Sequence, residues 1–470
     1  MAVGNSVGRK RGEKAGDGAT RARAMRLILL FGVVSLLGDI VYEGARGVTG
    51  PFLLLLGAGA GLVGIIAGSA ELLGYGLRVA SGLASDRRGA RWALTFAGYG
   101  LIGAIPLLAV AGAWQAAALL ILMERIGKAL RSPARDAIMS EAAVRVGTGW
   151  GFGVHEALDQ LGAILGPLIL ASFFILRGTA GGAGAADDYR AGLAVLAVPY
   201  ALMMAVLVAT WSSSGVAGRG APRSPIGGAV EGNRGADAGG DGGRGSGGGG
   251  GGSKGGYGGA GGGAVWAGRA AEGAGAPGSL RIFLGFVFLS ALGLVSFALV
   301  GYHLRAGGVT GDAGVPLVYA LAMLVDAFVA PVIGRAYDRL KACGGGAGTG
   351  LRILLPLPLM TAAVPLLAFA GGLGGAVAGA ALWGAVMGAH ETVMRAAVAD
   401  MAPPERKGSA FGLFHGLYGF GMFAGSSVAG LLYSLSLPLL FVFVLSAAAA
   451  SFLPLAVILR SARRTSKKSS

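Results

Sequence analysis

Apolar stretches long enough to cross a bilayer recur along nearly the whole of this chain. A hydrocarbon core of roughly 30 Å takes about 20 residues of helix at ~1.5 Å rise each. Helix is the default for such spans, because the backbone must satisfy its own hydrogen bonds in lipid. The spans fall near Leu27–Gly57, Gly61–Ser81, Trp92–Gly112, Trp114–Leu130, Thr148–Leu176 and Ala191–Trp211. They resume near Ile282–Tyr302, Gly314–Gly334, Ile353–Ala370, Leu373–Val393, Ser409–Leu432 and Pro438–Leu459. The expected fold is therefore an all-α membrane protein of twelve transmembrane helices in two pseudo-symmetric six-helix bundles. With 54% hydrophobic and 13% charged residues, too little polar surface exists for a soluble fold. The first apolar run lacks a small-residue cleavage site and contains Asp39 and Glu43, so it reads as an uncleaved span.

The net charge of +16 does not point to nucleic acid. Its Lys and Arg sit in the tails and between spans, with no patch of interleaved aromatics. They sort by side instead. Arg9, Lys10, Arg11, Lys14, Arg21, Arg23 and Arg26, the loops at Arg87, Arg88 and Arg91, at Arg335, Arg339 and Lys341 and at Arg406 and Lys407, and the final Arg460, Arg463, Arg464, Lys467 and Lys468 share one side. Opposite them stand Arg177, Arg190 and Arg305. Positive charge resists translocation, which places both termini in the cytoplasm and the chain in the cytoplasmic membrane. The expected organisation is a disordered basic tail over 1–26, a bundle over 27–211, a Gly-rich disordered linker over 212–280, a bundle over 281–459 and a basic tail over 460–470. The single Cys343 and the dispersed histidines leave no metal cluster, and no cofactor motif or Walker loop occurs.

The two halves echo each other in sequence. Gly82-x-x-x-Asp86-Arg87 recurs as Gly334-x-x-x-Asp338-Arg339, and Ser35-Leu-Leu-Gly38 as Ser290-Ala-Leu-Gly293. Arg135 precedes His155 by the same interval as Arg395 precedes His415. Gly153, Gly162 and Gly166 share the spacing of Gly412, Gly421 and Gly425. Four matches in one order argue for a duplicated six-helix unit.

On these residues the chain resembles the major facilitator superfamily from Leu27 to Leu459, the linker excepted. The stretch Gly82-Leu-Ala-Ser-Asp86-Arg87-Arg88-Gly89-Ala-Arg91 resembles the family's signature loop between the second and third spans. The resemblance implies a conformational latch of Gly82, Asp86, Arg87, Gly89 and Arg91, with Gly334, Asp338 and Arg339 as its repeat. In it Asp86 meets the positive end of the eleventh helix near Ser409 and basic groups on the fourth. Gly153-(x8)-Gly162-(x3)-Gly166-Pro167 resembles the glycine-rich motif of the family's antiporters, although Leu170 stands where a further glycine is expected. Glycines at these intervals let a neighbouring helix approach, and Pro167 bends its own.

Ionisable residues within spans are functional candidates, because a charge in hydrocarbon is costly unless paired or wet. Asp39, Glu43 and Arg46 share one helical face that should line a central cavity, whereas the seventh span has Leu294, Ala298 and Gly301 there. Glu71 and Arg78 share a face of the second span with Tyr75. On the fourth, Glu124, Lys128, Arg131 and Arg135 form one face with Arg125 pointing elsewhere, and only Glu124 and Arg125 are read as deep; the others reach for headgroups. His155, Glu156 and Asp159 form a candidate protonation cluster. Asp326 and Glu391 are the second half's candidates, with Glu391 placed to pair with Arg395. His303, His390 and His415 are read as interfacial or packing residues. No nucleophile stands beside His155 and Glu156, so the chain is not read as an enzyme. The expected function is alternating access for a small-molecule substrate, coupled to protons, with export favoured over import and a non-transporting receptor as the rival class. The partners are substrate, protons and the lipid bilayer, and a monomer suffices.

Overall fold

A computed structural model describes residues 4–85, 90–178, 184–214, 278–344, 347–403 and 406–466. Twelve helices are present among them. The first half holds α1 (Gly4–Leu55), α2 (Ala60–Ser85), α3 (Arg91–Val110), α4 (Trp114–Val146), α5 (Thr148–Arg177) and α6 (Ala185–Ser213). The second holds α7 (Gly278–Ala306), α8 (Gly314–Gly344), α9 (Leu351–Phe369), α10 (Leu373–Met401), α11 (Lys407–Leu435) and α12 (Leu437–Ser466). Ten of the twelve are long and apolar enough by themselves to span a membrane. The exceptions have different causes: α4 carries Glu124, Arg125, Lys128, Arg131 and Arg135, whereas α11 is diluted by glycine and serine.

Helix ends differ from the apolar boundaries, because hydropathy marks the edge of lipid and not the end of hydrogen bonding. Helix α4 continues to Val146, α8 to Gly344 and α12 to Ser466, and α1 already begins at Gly4. The described parts of the segments expected as terminal tails are thus helical. The Gly-rich linker lies outside the described residues beyond Ser214 and before Gly278. Helix α7 is not continuous but opens at Leu294–Ser296. Such a break within a span has to be buried in protein. Here Trp383 Nε1 of α10 donates to the exposed carbonyl of Val295 at 2.9 Å.

Each half has its own apolar core. Phe31, Phe52, Tyr99, Phe174 and Tyr189 centre the first, and Phe283, Phe286, Phe297 and Trp383 the second. The duplicated glycines do the same work in both. A Cβ on Gly162 would lie 2.3 Å from the Leu36 carbonyl oxygen, and one on Gly166 2.5 Å from that of Ile40, so α5 and α1 touch backbone to backbone. Gly421 and Gly425 likewise bring α11 against the backbone of α7, with a Cβ 2.8 Å from the Phe288 carbonyl oxygen and 2.2 Å from that of Leu292. Gly153 differs from the expectation: nothing lies within 4 Å of a Cβ there, so it closes no helix contact.

The halves meet along three seams. Helix α2 runs against α11 from Gly64, beside Ser426 and Gly430, down to Val79 beside Gly412. Helix α5 packs on α8. At the end of the bundle remote from the termini, Gly50 lies against the Ala298 carbonyl, where a Cβ would come within 1.9 Å. Nearby, Tyr189 of α6 donates to Asp312 across the halves at 3.2 Å, and Arg305 Nε pairs with the same carboxylate at 2.6 Å. No comparable seam joins α4 to α10 among the described residues.

Candidate functional site

Between the halves lies a cavity of ≈ 310 Å³, within the range of small-ligand sites, roughly 300–1,000 Å³. It is shared by α1, α2, α4 and α5 on one side and by α8 and α10 on the other. The remote end is sealed by the Gly50 and Asp312 contacts. Toward the terminus-bearing end, Glu156 is exposed and Arg395 has 47% of its side chain accessible, so the chamber opens there.

Its floor is a knot of ions. Arg46 bonds Glu71 at 2.5 Å and reaches Glu43 at 3.5 Å. Arg125 lies 3.8 Å from the same Glu71 oxygen and 3.3 Å from Glu124. Lys128 approaches Glu43 at 3.9 Å, and the Tyr319 hydroxyl of α8 donates to Glu43 from the other half. Helical spacing on α1 explains part of this, since residues three and four apart share a face. The rest depends on α2 and α4 bringing Glu71 and Arg125 alongside. Buried charges are tolerated only when paired in this way.

Nearer the opening, Ser35 acts as a hub. Arg135 Nη1 donates to its Oγ at 2.8 Å, His155 Nε2 sits at 2.9 Å and Tyr99 Oη at 3.2 Å. Arg135 also pairs with Asp136 at 3.0 Å and Asp159 at 4.0 Å. The repeat serine behaves alike with a different partner: Ser290 Oγ meets His390 Nε2 at 3.0 Å, not the sequence-equivalent His415. The second half's wall carries Met323, Asp326, Trp383, Met387, Glu391 and Arg395. Asp326 is buried and its Oδ1 has no hydrogen-bond partner among the described residues. Glu391 pairs with Arg395 at 3.8 Å.

Asp39, Glu43, Arg46, Glu71, Arg78, Arg125, His155, Glu156, Asp159, Asp326 and Glu391 thus all reach one chamber. Glu124 does not; it lines a small adjoining pocket of ≈ 40 Å³ beneath the break in α7. The expected division of α4 is accordingly corrected. Arg125, Lys128, Arg131 and Arg135 face the chamber, and the last three are not headgroup contacts. The successive steps of three, three and four residues from Arg125 to Arg135 are the signal for this face. Tyr42 and Tyr319 carried none, since an aromatic within a span reads as packing.

Of the latch residues, Asp86, Arg87 and Gly89 lie outside the described residues. Gly82 faces Pro133 of α4, and Gly334 faces Thr392 of α10 at 3.0 Å from a Cβ. Arg91 pairs with Glu141 near the end of α4 at 2.6 Å. In the second half Lys341 and Tyr337 hold Asp400 near the end of α10 at 2.6 and 2.9 Å, while Asp338 and Arg339 are exposed.

Known proteins share this plan. The profile of the Major Facilitator Superfamily matches residues 286–470. An uncharacterized protein of Mycobacterium tuberculosis is 36% identical over 438 residues, which cover 91% of this chain and 92% of the relative. An uncharacterized MFS-type transporter of Methanocaldococcus jannaschii is 33% identical over 150 residues, 32% of this chain and 37% of its own. Among solved structures, a peptide transporter POT in complex with sulfate superposes with a TM-score of 0.64 at 16% identity, covering 94% of this chain and 95% of its own. A bacterial homolog to the human lysosomal transporter Spinster, in an inward-facing and unoccupied conformation, gives 0.58 at 14% identity over 94% and 95%. Identities this low show the shared fold alone. With its second half inside the family profile and both halves built to one plan, the chain belongs to the major facilitator superfamily of membrane transporters.

Proposed function

We propose that this protein carries a small polar molecule across the cytoplasmic membrane by alternating access, with proton movement coupled to the cycle. The observation that carries the reading is the charged chamber between the halves, sealed at one end by contacts across them and open at the other. Rocking the halves would exchange which end is sealed. Placing the termini in the cytoplasm makes the open end the cytoplasmic one. That orientation is supported by the scarcity of Lys and Arg on the remote face, where only Arg177, Arg190 and Arg305 stand among the described residues.

Proton coupling rests on Asp39 and Asp326, which are 4% and 6% exposed. A carboxylate held this dry is costly while charged, and a proton removes the cost. In proteoliposomes, an imposed pH gradient should drive substrate flux by the wild type, and Asp39→Asn or Asp326→Asn should uncouple it. Flux with an unchanged pH dependence in both variants overturns the coupling. Gly162 and Gly166 pack α5 on α1 just as Gly421 and Gly425 pack α11 on α7, so they favour neither proton antiport nor symport. Growth of an expressing strain on toxic compounds decides the direction: resistance means export, and sensitisation means import.

A further inference from the structure

We infer that Arg131 and Lys128 of α4 form a subsite for an anionic group, a carboxylate or a phosphate, on the transported molecule. The inference rests on the carrier reading above and narrows it to negatively charged substrates.

Most cations of the chamber are already engaged. Arg46 and Arg125 are held by Glu43, Glu71 and Glu124, Arg135 by Asp136, and Arg395 by Glu391. Arg78 and Arg131 have no acid partner among the described residues, and Arg131 is the more buried of the two. It is 3% exposed, it lines the chamber, and its Nε and Nη1 have no hydrogen-bond partner among the described residues. Its guanidinium carbon sits 5.0 Å from the Tyr42 ring centre and 5.1 Å from that of Tyr99. These cation–π contacts use no N–H of the guanidinium, and Nε and Nη1 belong to the forked array that matches a carboxylate or phosphate.

Lys128, one turn earlier, lies over the same Tyr42 ring at 4.4 Å and donates to its hydroxyl at 3.2 Å. Two cations gathered on one ring repel each other in a poorly screened interior. The charge of Asp39 acts on both, while Glu43 is divided among Lys128, Arg46 and Tyr319. An incoming anion offsets the surplus and satisfies the orphaned N–H groups, whose desolvation is already a cost of the fold.

The test uses purified full-length protein in detergent, with inorganic phosphate, lactate and succinate as probes and choline as the cationic control. Thermal unfolding is followed for wild type, Arg131→Gln, Arg131→Lys and Lys128→Met, with gel filtration and the ligand-free midpoint reporting that each variant folds. At least one anion should raise the wild-type midpoint and choline should not. Arg131→Gln should weaken that anion by about tenfold or more, Arg131→Lys by less because it keeps the charge but not the fork, and Lys128→Met should weaken it independently. Stabilisation by choline alone, by none of the four, or by an anion equally well in Arg131→Gln overturns the subsite. The carrier reading fails separately. An anion that binds through Arg131 yet shows no flux in proteoliposomes sinks the carrier and leaves the subsite; flux undiminished in Arg131→Gln does the reverse.

Discussion

The two halves of the molecule have nearly the same frame and opposite interiors. On α1, Asp39, Glu43 and Arg46 face the chamber; on α7 the same repeat positions hold Leu294, Ala298 and Gly301, where the helix breaks and packs on its neighbours. Helices α4 and α10 diverge in the same way. Counting from Arg135 and Arg395, Glu124 and Lys128 correspond to Gly384 and Gly388, and those two glycines press α10 onto α8 at Ala322 and Asp326. What the duplication preserves is backbone proximity, fixed by glycines. Most of the charge is concentrated on one side, and the other contributes Asp326, the Glu391–Arg395 pair and the tyrosine that caps Glu43.

This contrast can be broken most decisively at Glu71. Glu71→Gln removes the carboxylate shared by Arg46 and Arg125, leaving them Glu43 at 3.5 Å and Glu124 at 3.3 Å, and breaking a buried pair costs ~3–5 kcal/mol. Its unfolding midpoint should drop sharply and transport should be lost. Glu391→Gln in the second half, whose partner Arg395 is well hydrated, should cost under ~1 kcal/mol. Equal losses in the two variants would mean that the halves do not differ as described. The shared frame is sharpened by a matched pair, Gly162→Ala and Gly421→Ala. Each pushes a methyl into a facing backbone and should cost ~1–3 kcal/mol by denaturation in detergent, with the tighter Gly162 contact the more sensitive. Tyr319→Phe removes the one hydroxyl that the second half lends to Glu43. A loss of ~1–2 kcal/mol should loosen the remote end, read as several-fold faster maleimide labelling of a cysteine placed at Ser296 in a Cys343→Ala background. Lys341→Met, at an exposed pair with Asp400, should change stability by under ~1 kcal/mol.

The fold was legible in the sequence because bilayer thickness imposes a length on every span and the repeat imposes a count. The site was legible where one helix alone sets a face, as with Asp39, Glu43 and Arg46. It was misread on α4, where a run of cations beyond an apolar stretch looks like a headgroup anchor, and only the extension of the helix to Val146 with α2 alongside shows it to be a chamber wall. The opening in α7 could not be read, because Leu294, Val295 and Ser296 are ordinary helix residues. What satisfies it is tertiary, the Trp383 bond to the Val295 carbonyl. His390 is buried, and its bond to Ser290 is one that nothing in the spacing announces.

The glycine-lined seam between α2 and α11 has a consequence for how such a machine can turn. If the halves rock as proposed, the contact that the two helices keep from Gly64 to Val79 suits that flank to a pivot, with the gap widening as a wedge between α4 and α10. A staple across the pivot should leave turnover running, whereas one bridging the mouth of the wedge should stop it with the solute trapped.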